Sequence, residues 1–263
     1  MSFEDKTVWI TGASSGIGEA LTYALSKRGS KLIISSRREQ ALERVRRQCA
    51  IPSEVEIIPL DLTETGTLPQ KAEQARSAFG HIDYLFNNGG ISQRSLAVDT
   101  DMEVVRKVME VNFFGTVALT KAVLPAMKQR QSGHIVVTSS VMGKFGTRLR
   151  SAYAASKHAL HGWFDCLRQE IHDDNIKVSL VCPGFIKTDV TLNALEGDGS
   201  KHNKMGEGQK KGMEPSTFAQ KLLPKILREK EEIYIGGMEL MGVYLKRISP
   251  RLLNAILRNS DVT

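Results

Sequence analysis

Cysteine is scarce: the 263 residues hold only Cys49, Cys166 and Cys182, far apart and with no CxxC pair. That excludes a disulfide framework and a cysteine-built zinc site, and points to buried, inert thiols in a reducing compartment with no metal. Aromatic residues are also few, at 6%, and are not interleaved with the basic ones. A stacking platform for nucleic acid is therefore not expected, although the formal charge is +7 and a basic surface can serve any anionic ligand. No apolar run is long enough to span a bilayer. Met1–Lys6 is polar and acidic, without the basic-then-apolar order of a signal peptide. Repeats and low-complexity segments are absent too, and the chain reads as cytoplasmic.

What is present is alternation. Hydrophobic residues make up 41% and charged ones 25%, an ordinary balance for one large α/β domain. Strand-like runs fall at Thr7–Thr11, Lys31–Ser36, Val55–Leu60, Ile82–Asn87, His134–Ser139, Val178–Cys182 and Ile233–Gly236. Between them lie helical periods, among them Asp101–Met127 and Ala152–His172. Near-continuous apolar strands separated by helices predict a parallel, doubly wound sheet with helices on both faces. Ligands then bind beyond the carboxyl ends of the strands.

Two stretches break the rhythm. Ala194–Gly212 is polar and aperiodic, which in a compact domain reads as a functional lid or a disordered loop. After residues 1–237, taken as the catalytic domain, residues 238–263 read as two short amphipathic helices. Leu240, Met241, Tyr244, Leu245, Ile248, Leu252, Leu253, Ile256 and Leu257 are their apolar residues, with Lys246, Arg247, Arg251 and Arg258 among them. This extension is expected to pack over the cleft or a partner subunit. Seating on an anionic membrane is the less favoured alternative.

The first strand runs into Gly12-Ala13-Ser14-Ser15-Gly16-Ile17-Gly18 and a helix. Three glycines can simply make a tight turn. Between a strand and a helix, however, they let backbone approach a pyrophosphate at the helix N-terminus. NAD-preferring sites usually place an acid about 20 residues further on, at the end of the second strand. Here that place reads Ser36-Arg37-Arg38. A guanidinium grips a 2′-phosphate where an aspartate would repel it, so NADP(H) is the expected cofactor.

Tyr153 and Lys157 stand four apart on a helix and share a face. A free phenol has a pKa of about 10, and a nearby ammonium can draw it towards acid–base use. An isolated pair of this kind is common by chance. Here Ser140 ends a strand thirteen residues earlier, Asn87-Asn88-Gly89-Gly90 ends another, and Asn112 sits in an apolar helical stretch. A lone helical Asn often does no more than satisfy neighbouring backbone.

Taken together these residues resemble the short-chain dehydrogenase/reductase family over nearly the whole chain to about Gly236. Its pattern of TGxxxGIG, NNAG, helical Asn, Ser, YxxxK and PG followed by Thr is met in order, with Gly89 replacing the usual Ala. The resemblance implies a single Rossmann-type, seven-stranded domain that moves hydride between NADP(H) and a carbonyl or alcohol. It implies that Tyr153 is the acid–base and that Ser140 holds the substrate oxygen. Lys157 would bind the nicotinamide ribose and lower the Tyr153 pKa, and Asn112 would hold a water of the proton relay. Asp61 and Leu62 match the adenine contact, Asn88 and Gly90 the ribose support, and Pro183, Gly184, Ile186 and Thr188 the carboxamide contact. A homodimer or homotetramer through the Asn112 and Tyr153 helices is implied too.

Within the family, Arg150–His158 and Phe164–Arg168 are similar to the dehydrogenase/reductase 7-type branch. That branch includes membrane-associated members, and no N-terminal anchor like theirs is expected here. Met142, Phe145, Phe185 and Leu192 point to an apolar ketone or aldehyde as substrate. A non-catalytic NADP(H) sensor on the same fold is the competing reading, and the presence of Tyr153, Lys157 and Ser140 together argues against it.

Overall fold

The protein, described over residues 2–259 in a computed structural model, is built on one parallel sheet. Its strands are β1 (Thr7–Thr11), β2 (Lys31–Ser35), β3 (Val55–Ile57), β4 (Tyr84–Asn87), β5 (Gly133–Thr138), β6 (Ile176–Pro183) and β7 (Glu232–Ile235). Their spatial order is β3-β2-β1-β4-β5-β6-β7. The order reverses between β1 and β4, which leaves a crevice above their carboxyl ends.

Helices cover both faces. Along β1, Val8 and Ile10 point to one face and Trp9 to the other, and all three are fully buried. The Val8 side is closed by α1 (Gly16–Ser26) and α2 (Glu39–Arg47). The Trp9 side is closed by α3 (Leu68–Phe79). Next in the chain come α4 (Met102–Met109), α5 (Gly115–Arg130) and α6 (Ser151–Glu170). Of these, α5 and α6 complete the Trp9 side with Leu119, Val123, Leu160 and Phe164. Beyond β6, α7 (Glu207–Lys210) is a single turn. The next helix, α8 (Pro215–Leu227), returns to the Val8 side with Phe218 and Leu222. The tail forms α9 (Met241–Ile248) and α10 (Pro250–Asn259). Among the described residues no helix is long and apolar enough to cross a membrane.

Three departures from the sequence reading are local. The third strand stops at Ile57, two residues before Pro59, which sits at the sheet edge where a missing N–H is tolerated. Ile58 and Leu60 still donate to Ile34 and Ser36 at 3.1 and 3.2 Å, so the chain stays beside β2 and delivers Asp61 to the crevice. The stretch read as one helix over Asp101–Met127 contains a π-helical turn at Glu110–Phe114, carrying Asn112. Such turns commonly mark functional positions. Cys49 and Cys182 are buried as expected, but Cys166 is exposed: it sits on the solvent side of α6, beside the inward Leu167.

Candidate active site

The carboxyl ends of the central strands open into a cavity of about 1040 Å³ that receives almost every residue singled out from sequence. At its floor β1 turns through Gly12, at φ +66°, into α1. A Cβ on Gly18 would lie 2.2 Å from the Gly12 carbonyl oxygen, so only glycine lets the helix start against the loop. Among the described residues no side chain caps that helix: Ser15 stands at its N-cap without a cap bond. The first-turn N–H groups are thus left for a ligand, and Ser14, Ser15, Gly16 and Ile17 line the cavity beside them.

Asn88 ties three strands together. Its backbone N–H donates to Thr11 Oγ1 at 3.0 Å and its amide to the Thr11 carbonyl at 3.2 Å. In turn, Thr138 donates to Asn88 Oδ1 at 3.3 Å. Gly89 has a reason to depart from Ala: an added Cβ would sit 2.8 Å from Leu62 Cδ1. Gly90 lines the cavity beyond it.

Arg37 and Arg38 are exposed at the cavity mouth with Ser36. The Ser36 hydroxyl accepts from the Arg38 N–H at 3.2 Å, and Arg38 Nη2 lies 3.4 Å from Ser14 Oγ. One guanidinium is thereby held over the glycine loop. Asp61 turns its Oδ1 to the Thr63 N–H and hydroxyl, both at 2.9 Å, while Asp61 and Leu62 remain on the cavity wall.

The reactive cluster stands at the start of α6. Ser140 follows β5 and accepts the Met142 N–H at 3.1 Å, which fixes its rotamer. Its hydroxyl acts on the phenol of Tyr153, and both residues line the cavity. The neighbouring Ser139 turns the other way, 3.0 Å from His161 Nε2, so only one of the two serines meets the phenol. Lys157 donates to the Thr138 carbonyl at 2.8 Å, and its ammonium lies 5.6 Å from the Tyr153 ring centroid.

Burial sets the electrostatics. It raises the phenol of Tyr153 above its usual value, against the opposing influence of the Ser140 hydroxyl and the charge of Arg150. Burial also brings the Lys157 ammonium down to about 8. Desolvation outweighs the pull of Ser140 and Arg150 on the phenol. Asn112 is engaged by two neighbours. Its Oδ1 accepts the Ile91 N–H at 2.8 Å, and its Nδ2 donates to the Ile91 carbonyl and to Ser156, both at 2.9 Å. The side chain straps the loop after β4 to α6.

The wall opposite the glycine loop comes from the end of β6 and from the tail. Pro183, Gly184, Ile186 and Thr188 line the cavity, and Thr188 Cγ2 would stand 3.0 Å from a Cβ on Gly16. The aperiodic segment is pinned in part: Leu195 accepts the Arg94 N–H at 2.7 Å and donates to Ser92 at 2.9 Å. Leu195 and Lys201 reach the cavity. In the tail, Val243 and Leu253 are buried against Val141 and Phe145, a contact of about 2 kcal/mol per side chain. Leu245, Leu253 and Leu257 of the tail also line the cavity. Tyr244, Ile248 and Leu252 stay exposed away from the cavity, and Met241 and Ile256 are exposed along it.

Two lining residues escaped the sequence reading. Glu239 has no motif to announce it. Arg150 stands three residues before Tyr153, a helical spacing that would have shown it on the same face.

Comparison with known proteins agrees with this site. A family model described as short chain dehydrogenase matches residues 6–198. A Drosophila melanogaster protein, dehydrogenase/reductase SDR family protein 7-like, is 44% identical over 255 residues, covering 94% of this chain and 78% of its own. A short chain dehydrogenase/reductase from Burkholderia phymatum, solved in complex with NAD, has a TM-score of 0.84 at 24% identity and 96% coverage of both chains. One from Burkholderia cenocepacia, solved in complex with NADP, gives 0.81 at 24% identity, with 99% of this chain and 100% of its own covered. The two solved structures show the shared Rossmann-type fold. With the glycine loop, the Ser140–Tyr153–Lys157 cluster and the family match in register, the chain belongs to the short-chain dehydrogenase/reductase family of oxidoreductases.

Proposed function

We propose that the protein is an NADP(H)-dependent reductase of apolar ketones or aldehydes, with Tyr153 as the acid–base and Ser140 polarising the substrate oxygen. The observation that carries this reading is that Ser140, Tyr153 and Lys157 line the same cavity as the uncapped N-terminus of α1. The residues present fit a dinucleotide. Gly12 and Gly18 leave no room for a Cβ, free N–H groups suit a pyrophosphate, and Arg37 and Arg38 suit a 2′-phosphate. When bound, NADPH supplies the hydride.

The protein's own part is binding, orientation and the proton. Ser140 donates to the carbonyl oxygen and Tyr153 gives that oxygen its proton, leaving an alcohol and a phenolate. A phenol raised by burial holds its proton at neutral pH, the form that can protonate a carbonyl oxygen. Lys157 stabilises the phenolate that results, and Asn112 keeps α6 in register with the loop after β4. Val141, Met142, Phe145, Leu245 and Leu253 give the substrate an apolar surface.

A homodimer or homotetramer through the Asn112 and Tyr153 helices is proposed with it, and Phe114, 48% exposed beside Asn112, is in keeping with such a contact. So is a cytoplasmic setting, in keeping with the exposed thiol of Cys166. The test is a panel of apolar ketones, aldehydes and their alcohols with NADPH and NADP+, read by the absorbance of reduced nicotinamide. Turnover of at least one apolar carbonyl is expected. A protein that binds NADPH tightly and turns over none of them is the sensor instead.

A further inference from the structure

Arg150 is a buried cation without an anion. It stands at the N-cap of α6, is 7% exposed and lines the cavity. Its Nη1 donates to Ser92 Oγ at 2.6 Å and to the Gln93 carbonyl at 3.4 Å, both neutral acceptors. Among the described residues no carboxylate pairs with it, and Nε and Nη2 have no hydrogen bond to the protein. Burial draws it down to about 10, helped by the charge of Arg94, so it remains protonated at neutral pH.

Residues of this type are almost never buried unless paired, because a desolvated charge with no counter-charge is costly. Strapping the Ser92–Gln93 loop to α6 occupies one nitrogen and asks only for a neutral donor. The planar fork that is left matches a carboxylate. Its place is specific as well. Arg150 precedes Tyr153 by three residues, on the same helical face, and its charge acts on the phenol. The anion it lacks would therefore lie beside the reacting carbonyl.

We infer that Arg150 receives a carboxylate of the substrate, which makes the substrate class an oxo acid: an apolar chain bearing an acid group near the carbonyl. Phe145, Val141, Leu245 and Leu253 take the chain while Arg150 takes the acid. This rests on the reductase reading for the word substrate, but the anion site can be measured without turnover.

Calorimetry of decanoate and of methyl decanoate on the full chain saturated with NADPH tests it. Decanoate is expected to bind, and Arg150→Gln to weaken it at least tenfold while the ester and NADPH hold their affinities. Arg150→Lys, which keeps the charge, is expected to recover part of the loss. A role in strapping alone would lower acid, ester and NADPH together. In turnover, 2-oxodecanoate is expected to exceed its methyl ester at least tenfold in kcat/KM, and Arg150→Gln to close that gap.

No decanoate binding, or binding indifferent to Arg150→Gln, overturns the inference, and turnover of neutral ketones in the same protein would leave the reductase reading standing. Arg150-dependent decanoate binding with no carbonyl turned over would overturn the reductase reading and keep the anion site.

Discussion

Glu239 and Phe185 join the tail to the loop after β6: one carboxylate oxygen of Glu239 accepts the Phe185 N–H at 2.8 Å and the Gly237 N–H at 2.9 Å. The fit is close enough that a Cβ on Gly184 would fall 1.8 Å from that oxygen. The tail therefore fixes a wall of the cavity as well as covering it. Replacing Glu239 by Ala leaves the Phe185 N–H unpaired, at a cost of about 1–2 kcal/mol. We expect KM for an apolar carbonyl to rise by about tenfold, with NADPH affinity changing less than threefold (about 0.6 kcal/mol). Steady-state kinetics beside cofactor titration measures both, and an unchanged KM would show that the tail rides on the loop without shaping it.

Cofactor choice turns on the pair at the mouth. NADPH is expected to bind at least tenfold more tightly than NADH, about 1.4 kcal/mol, through charge-assisted bonds to the 2′-phosphate. Arg37→Ala should remove much of that gap and leave NADH affinity nearly unchanged. Arg38→Ala should do the same and also release Ser14, which Arg38 approaches at 3.4 Å. Equal affinities in the unaltered protein would contradict the assignment.

Acid should weaken the fold through His134. The ring is buried between β4 and β6, 2.8 Å from Ser179 Oγ, and burial, aided by the charge of Lys177, brings its pKa down to about 4. In the unfolded chain it titrates near 6.5. Between those values the unfolded state binds the extra proton, so stability falls as pH drops from 6.5 towards 4, by about 3 kcal/mol in all. Above pH 6.5 this contribution is fully present and flat. Urea melts at pH 7 and pH 5 should differ more for the unaltered protein than for His134→Gln. An equal pH response in the two would mean that the loss comes from other groups.

How far the sequence reaches is seen in particular residues. Apolar runs such as Thr7–Thr11 are legible because helices bury both faces of each strand, which leaves no polar position to confuse the pattern. The glycine loop is legible because it stands between a strand and a helix, and because Gly18 answers to the backbone of Gly12 just before it. The third strand stops two residues before Pro59, and the π-turn at Asn112 left no trace in a helical period that continues on either side of it. Ser139 and Ser140 have the same side chain and differ only in direction. That direction depends on His161, which comes from a later helix. Glu239 and Arg150 are set by long-range contacts of the same kind: a charged residue reads as surface until its burial is seen.

The central claim is that Tyr153 carries the proton. Tyr153→Phe removes one oxygen, keeps the ring beneath Lys157 and leaves the glycine loop untouched. Measured with the best carbonyl substrate, kcat should fall by at least a hundredfold, about 2.7 kcal/mol or more, while the Kd for NADPH stays within twofold. A variant that keeps most of its kcat would contradict the account, since the proton would then come from another group.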